Sequence, residues 1–350
     1  MTKKFKVGVL MGGPSAEREI SLITGKAVFD NLDRKKYLPT LIEMSKDNLF
    51  WLLKKNNKKK RKLDFINKDK KLFDIIFIAM HGSPGEDGGV QGMFDTLGIR
   101  YTGSGVLSSA LAMNKVFSAQ IYHANGLPYP EFIHVKKDGW KNYKEKVLKD
   151  IESKIGFPCV VKPVDQGSAV GVSIVKSKDE IKNVMDKTFK SFSWIMIQKF
   201  IAGKEATCGV LEKDGQAMAL PPTHILPQAG EFYDYKSKYK AGGSTHICPA
   251  DFPHEINEQI QKLALLAHKA LRCSGMSRTD IFYANEEIKK PDLSDESSQT
   301  SASFTGNKKL YILETNTIPG MTPTSLLPEA AGKAGISFSE MLDYIIEASL

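Results

Sequence analysis

Apolar positions fall into short strand-like runs alternating with longer helical stretches. Residues 5–11 form a continuous apolar run of the kind a strand buried on both faces requires. Gly12-Gly13-Pro14-Ser15 turns the chain, and residues 16–32 follow as a helix with Ile20, Ile23, Ala27 and Val28 at helical spacing. Residues 73–80 predict another buried strand, ending in the glycine-rich turn His81-Gly82-Ser83-Pro84-Gly85-Glu86-Asp87-Gly88-Gly89. Strand, Gly-rich turn and helix open an α/β domain, and in open α/β sheets ligands bind beyond the carboxyl ends of the strands. One helix is expected over residues 109–125, carrying Lys115 and stopped by Gly126-Leu127-Pro128.

Further on, a helix ends near Ile155, and strands are expected at 159–162, 172–175 and 194–200, with a polar loop over 163–171. Residues 231–239 are polar and aromatic-rich. Residues 254–273 place Ile256, Ile260, Leu263, Ala267 and Leu271 on one helical face. Strands follow at 277–283 and from Leu310, separated by a charged and then Ser-rich stretch, 284–309, expected to be a mobile insertion. The boundaries divide the chain into 1–113, 114–203 and 204–350. There are no internal repeats.

A chain of 350 residues can bury the cores of two or three domains. No apolar run approaches the roughly 20 residues that span a bilayer. The first residues enter a strand without the apolar core of a signal peptide, so a cytoplasmic protein with no membrane partner is expected. Cys159, Cys208, Cys248 and Cys273 are scattered without a Cys-x-x-Cys pair, which argues against a zinc or disulfide framework and for reduced thiols. The net charge of +9 suggests a nucleic-acid partner at first sight, but ten Lys or Arg against two Asp lie within residues 54–71. With Phe65 the sole aromatic there, a solvated basic hairpin or loop is expected, and no nucleic-acid partner. Neither Gly-x-Gly-x-x-Gly nor Gly-x-x-x-x-Gly-Lys-Ser/Thr occurs, which removes the two commonest nucleotide loops.

Chemistry enters through the alternation of the last strand. In Leu310-Tyr311-Ile312-Leu313-Glu314-Thr315-Asn316, Glu314 and Asn316 face one way and Thr315 the other. Two hard oxygen donors before a Pro319-Gly320 turn read equally as a Mg²⁺ site or as a strand meeting water. Arg278-Thr279-Asp280 repeats the pattern. If the two strands are neighbours, Asp280, Glu314 and Asn316 converge as an oxygen set suited to Mg²⁺ on nucleotide phosphates. Arg278 cannot ligate a metal and would supply a fixed positive charge beside it. Lys115 and Lys162 would balance the same polyanion, or else lie on solvated surface. His81, too, reads either as a site residue or as part of a loop.

Seven stretches in this order are similar to those of D-alanine–D-alanine ligases of the ATP-grasp superfamily, and the likeness runs from Val7 to Ile346. They are Gly12 through Glu19; His81-Gly82 with Gly85 through Gly88; Met113-Asn114-Lys115; and Val161-Lys162-Pro163 with Gly167-Ser168. The others are Phe232 through Tyr235 with Lys238-Tyr239; Arg278 with Asp280; and Glu314 through Thr317 with Pro319 through Thr322 and Ser325-Leu326. The resemblance implies an α/β and α+β, three-domain ATP-grasp ligase with an N-terminal Rossmann-like domain. It implies ATP bound between the central and C-terminal units, two Mg²⁺ ions (or Mn²⁺), a homodimer, and a place in peptidoglycan precursor synthesis.

The implied reaction phosphorylates the carboxylate of one D-alanine with ATP, and the amine of a second D-alanine then displaces phosphate. The implied roles put Glu17 on the first ammonium with His81 nearby, and join Ser168 and Tyr239 to Glu17 by hydrogen bonds. Lys115, Lys162, Lys199 and Lys238 would bind ATP, Glu205 the ribose, and Asp280, Glu314 and Asn316 the metals. Arg278 and the Gly320 N–H would hold the tetrahedral oxyanion, and Ser325 and Leu326 the second carboxylate. An acyl phosphate must be kept from water, so residues 231–249 are expected to close as a loop. Tyr239 favours a dipeptide over a D-alanine–D-lactate ester. Gln198 stands where an acidic residue often contacts adenine, and Ala169 replaces a frequent serine. The alternatives are a D-alanine–D-lactate or other carboxylate–amine ligase, and an inactive nucleotide-binding scaffold.

Overall fold

The computed structural model describes residues 4–53, 59–167, 169–227, 244–285, 309–322 and 324–350. β1 (Phe5–Gly12) is buried from Val7 onward because it lies between two parallel neighbours, β2 (Tyr37–Met44) and β5 (Ile75–Ile78). β3 (Phe50–Leu53) and β4 (Lys59–Lys62) extend this sheet antiparallel, in the order β4-β3-β2-β1-β5. The basic segment thus supplies an edge strand, and Arg61 grips Asp69 through two hydrogen bonds of 2.8 and 2.7 Å. Residues 54–58 of that segment lie outside the described residues. α1 (Arg18–Asn31) packs on β1, and α2 (Gly89–Leu97) follows β5.

The stretch expected as one helix over 109–125 is two helices, α3 (Val106–Met113) and α4 (Lys115–Ala124). Asn114 breaks them. Its backbone is extended, and its side chain accepts the N–H groups of Val116 and Phe117, both at 3.1 Å. Asparagine is among the best N-caps, satisfying donors the first turn leaves unpaired. Lys115, the first residue of α4, is anchored by its own N–H to the Val164 carbonyl at 3.0 Å.

The middle sheet is antiparallel throughout, in the order β6 (Phe132–Lys136), β9 (Trp194–Lys199), β7 (Cys159–Pro163), β8 (Ser173–Val175). α5 (Lys137–Asp150), a π-helical turn (Ile151–Ile155) and α6 (Lys178–Ser191) cover it, burying Trp140, Ile151, Met185 and Phe189. The last sheet runs β13 (Ser244–Ile247), β12 (Thr223–Pro227), β10 (Gly203–Lys213), β14 (Met276–Ala284), β15 (Leu310–Asn316), with β11 (Gln216–Ala219) also on β10. α7 (His254–Ala270) packs on it, together with Val116, Ala119 and Tyr122 of α4.

β14 and β15 are antiparallel neighbours, and the Ala284 N–H meets the Lys309 carbonyl at 2.8 Å where the connection leaves the sheet. Of the expected mobile insertion, residues 286–308 lie outside the described residues. α8 (Leu326–Lys333) and α9 (Phe338–Glu347) bring Leu327, Met341 and Ile345 into the core of the first sheet. Lys36 and Asp343 join at 2.6 Å across the same contact, so the two ends of the chain share one core.

Asn114→Ala is expected to lower unfolding free energy by about 1 kcal/mol, while Asn114→Asp retains most of it. Urea denaturation measures both, and equal midpoints for Asn114→Ala and the parent would contradict the capping role.

Candidate active site

The site grows from the register of β14 and β15. Arg278 lies across from Asn316, Thr279 from Thr315, and Asp280 from Glu314. Alternation puts the threonines on the buried face, where their hydroxyls meet at 3.0 Å and the Tyr122 hydroxyl donates to Thr315 at 2.8 Å. Arg278, Asp280, Glu314 and Asn316 therefore share the opposite face, as the alternation predicted.

The charges on that face are paired closely. Asp280 Oδ1 accepts the Thr207 hydroxyl at 2.6 Å and Arg278 Nε at 3.1 Å, and Oδ2 takes Arg278 Nη2 at 3.2 Å. Lys115 Nζ donates to the Gln166 carbonyl at 2.7 Å and lies 3.5 Å from Glu314 Oε2. Asn316 turns Nδ2 toward the Arg278 carbonyl at 3.5 Å, leaving Oδ1 as the end suited to a cation. Among the described residues no three His, Cys, Asp or Glu side chains form a closed metal cluster. The donor set is two carboxylates and one amide oxygen. That fits an ion which keeps several waters and takes phosphate oxygens for the rest, as Mg²⁺ does.

Two cavities meet at this face. The larger, about 480 Å³, is bounded on one side by Glu17, His81 and Glu86, and on the other by Arg278, Asn316, Gly320, Ser325 and Leu326. The smaller, about 110 Å³ and mostly apolar, runs between the middle and last sheets along Lys162, Gln198, Lys199, Glu205, Asp280 and Phe282. Lys115 and Glu314 line both. Of the residues expected at the site, Ser168, Lys238 and Tyr239 lie outside the described residues, as does most of the expected closing loop.

Each wall has its own support. His81 is buried, with Nε2 2.9 Å from the Thr24 hydroxyl and its backbone N–H on the Ser21 hydroxyl at 2.8 Å. Ser325 occupies the N-cap position of α8, its Oγ 3.0 Å from the Thr322 N–H and 2.7 Å from the Thr322 hydroxyl. A Cβ on Gly320 would lie 3.0 Å from that same Oγ, so a larger residue here would press on Ser325. Lys199 directs its ammonium to Glu131 at 3.2 Å. Lys162 donates to Gln198 Oε1 at 2.8 Å. Burial, reinforced by the nearby Lys115 ammonium and opposed by Glu314, pushes the Lys162 pKa down to about 7.

Sequence reasoning passed over Glu86 and His246. Glu86 accepts the Gly82 N–H at 2.6 Å and lies 3.8 Å from His81 Nδ1; His246 reaches Glu329 at 3.2 Å. The separation of Glu86 from His81 within one turn was the available signal for the first. His246 belongs to a strand that only tertiary packing brings to the cavity.

Two antiparallel sheets closing on an apolar slot, with a carboxylate–lysine face at its inner end, define an ATP-grasp enzyme. Profiles of the D-ala D-ala ligase N-terminus and C-terminus match residues 6–104 and residues 121–289 with 301–347. The chain is 40% identical over 351 residues to the D-alanine–D-alanine ligase of Syntrophobacter fumaroxidans, covering 100% of this chain and 99% of the relative. It is 38% identical over 348 residues to that of Clostridium beijerinckii, covering 99% of each. Among solved structures, the Bacillus anthracis D-alanine–D-alanine ligase complexed with ATP superposes with a TM-score of 0.73 at 34% identity, covering 99% of this chain and 97% of that one. The VanG D-Ala:D-Ser ligase of Enterococcus faecalis gives 0.82 at 28%, covering 99% and 100%. The chain belongs to the D-alanine–D-alanine ligase family.

The lowered Lys162 pKa sets a sign. Between about 7 and the ordinary lysine value of 10.5 the folded chain holds fewer protons than the unfolded chain, so this group makes stability rise with pH there. A bound polyanion restores the charge, so ATP binding is expected to take up a proton and to weaken by up to about tenfold per pH unit above 7. Calorimetry in buffers of different ionisation enthalpy reads the uptake, and Lys162→Met is expected to abolish it. Buffer-independent heats for the parent at pH 8 would contradict the assignment.

Proposed function

We propose that this chain is an ATP-dependent, ADP-forming ligase that joins two D-alanines through an acyl phosphate, in peptidoglycan precursor synthesis. The observation carrying the reading is that a nucleotide slot and a polar substrate cavity share Lys115 and Glu314. A γ-phosphoryl group at the inner end of the slot would face a carboxylate in the cavity.

Activation requires two anions to meet, so charge must be cancelled before phosphoryl transfer. Lys115 and Lys162 serve that purpose on the protein side. Asp280, Glu314 and Asn316 would hold two Mg²⁺ ions, which would supply positive charge against the phosphates. Glu17 binds the ammonium of the first D-alanine, and the buried His81 flanks it. The second D-alanine places its carboxylate at the N-terminus of α8, where Ser325 and the N–H of Leu326 offer donors to an anion. Its free amine attacks the carbonyl, one oxygen becomes negative, and the Arg278 guanidinium and Gly320 N–H receive that charge. Collapse breaks the carbon–oxygen bond to phosphate, the attacking nitrogen gives up its surplus proton to the departing phosphate or to solvent, and the peptide bond remains. Gln166, through its carbonyl on Lys115, keeps the ammonium aimed at the transfer point.

The division at 113/114 and 203/204 is our reading of the units, supported by one sheet in each. A cytoplasmic location and a homodimer belong to the proposal, with family likeness as their support. No helix among the described residues is long and apolar enough to cross a membrane.

The test is a product assay with ATP, Mg²⁺ and D-alanine, D-serine or D-lactate, singly and mixed. D-Alanyl-D-alanine is expected as the main product, with ADP formation dependent on D-alanine and abolished by chelation of the metal. ADP release indifferent to D-alanine would overturn the function, and a dominant ester or D-alanyl-D-serine product would reassign the second substrate.

A further inference from the structure

Arg18, the first residue of α1, faces into the protein. Nη1 donates to the Gly13 carbonyl at 3.0 Å and the Met44 carbonyl at 2.8 Å, and Nη2 reaches Glu43 Oε1 at 2.5 Å. Both side chains of the ion pair are only 14% exposed. The guanidinium thus joins the carboxyl ends of β1 and β2 to the start of α1. The Met44 carbonyl also accepts the Gly13 N–H at 2.8 Å, so the same turn is held from two directions.

Gly12 shows how tightly the group is seated. It lies at φ +90°, and a Cβ there would fall 2.6 Å from the Met44 oxygen and 2.9 Å from Arg18 Nη1. The glycine leaves room for the guanidinium as well as for the left-handed backbone.

Glu17 is the residue before Arg18, and its carboxylate lies close to two glycines. A Cβ on Gly82 would lie 3.1 Å from Glu17 Oε2, and one on Gly167 would lie 3.5 Å from it. The carboxylate therefore sits in a gap between two loops, and the place of its Cα decides whether it meets a ligand in the cavity. Ser15 sets the local turn, its Oγ accepting the Glu17 N–H at 3.0 Å and its carbonyl accepting the Arg18 N–H at 3.1 Å. The Gly13 N–H and the Arg18 side chain both carry that turn to β2, and of the two Arg18 is the one next to Glu17.

We infer that Arg18, braced by Glu43, is a positioning residue that holds Glu17 in register with the first substrate's ammonium. This rests on the reading of Glu17 given above. The planar fork meets two carbonyls through Nη1 and the Glu43 carboxylate through Nη2, whereas the three donors of a lysine radiate from one nitrogen and span less.

Steady-state kinetics of Arg18→Ala, Arg18→Lys, Glu43→Gln and Glu17→Gln test it, with thermal unfolding recorded for each. Arg18→Ala is expected to raise the KM for D-alanine about tenfold or more, by analogy with other misplaced substrate-binding groups. The KM for ATP should stay within about twofold, since the nucleotide slot is untouched. Arg18→Lys should fall between Arg18→Ala and the parent, and Glu43→Gln, which keeps the hydrogen bond, closer to the parent. If the Arg18 variants leave the D-alanine KM unchanged and lose only kcat in proportion to the unfolded fraction, Arg18 is purely structural and the inference is overturned. If Glu17→Gln itself leaves the D-alanine KM at the parent value, the reading of Glu17 fails, and the inference with it.

Discussion

The register between β14 and β15 is the constraint on which the site depends. Thr279, Thr315 and Tyr122 tie the buried face of the strand pair to α4 through two hydroxyl contacts of 3.0 and 2.8 Å. Each such bond adds only about 1 kcal/mol net, but a slip of one residue would bury charges and leave the hydroxyls stranded. The penalty for that alternative, rather than the strength of any one bond, holds Asp280 opposite Glu314. α4 also begins at Lys115, so one helix carries both the anchor of the strand pair and a cation of the site.

Charge is managed by pairing and by withholding. Arg278 and Asp280 form a two-point pair supported by Thr207, and Lys115 lies near Glu314 while bonding the Gln166 carbonyl. Lys162 is treated differently: buried against the neutral Gln198, its ammonium is disfavoured until an anion arrives. A buried cation that gains its charge with the ligand links nucleotide binding to the state of the slot.

Much of this face was legible because strand alternation is local. Glu314 and Asn316 on one side of Thr315, and the same pattern around Asp280, required only that the strands pair. Other features depend on distant packing and left no local trace. The Asn114 break is the exception: its cap bonds to Val116 and Phe117 are local, but the apolar run on both sides of it reads as one helix. The face of α4 belongs to the C-terminal sheet although the chain reaches it before the central one. Arg18 looks like a surface residue at a helix start, yet its partners on β2 lie 25 and 26 positions away. His246 needed β13 to be placed beside α8 before it could be seen at the cavity.

The most direct measurement follows oxygen. D-Alanine carrying ¹⁸O in both carboxylate oxygens is turned over with unlabelled ATP in ordinary water, and the released phosphate is analysed by mass. Carboxylate activation at the face formed by Lys115, Glu314 and Arg278 predicts one ¹⁸O in each phosphate produced with the dipeptide. Unlabelled phosphate accompanying dipeptide formation would mean that the carboxylate never carried the phosphoryl group, and would contradict the acyl-phosphate route.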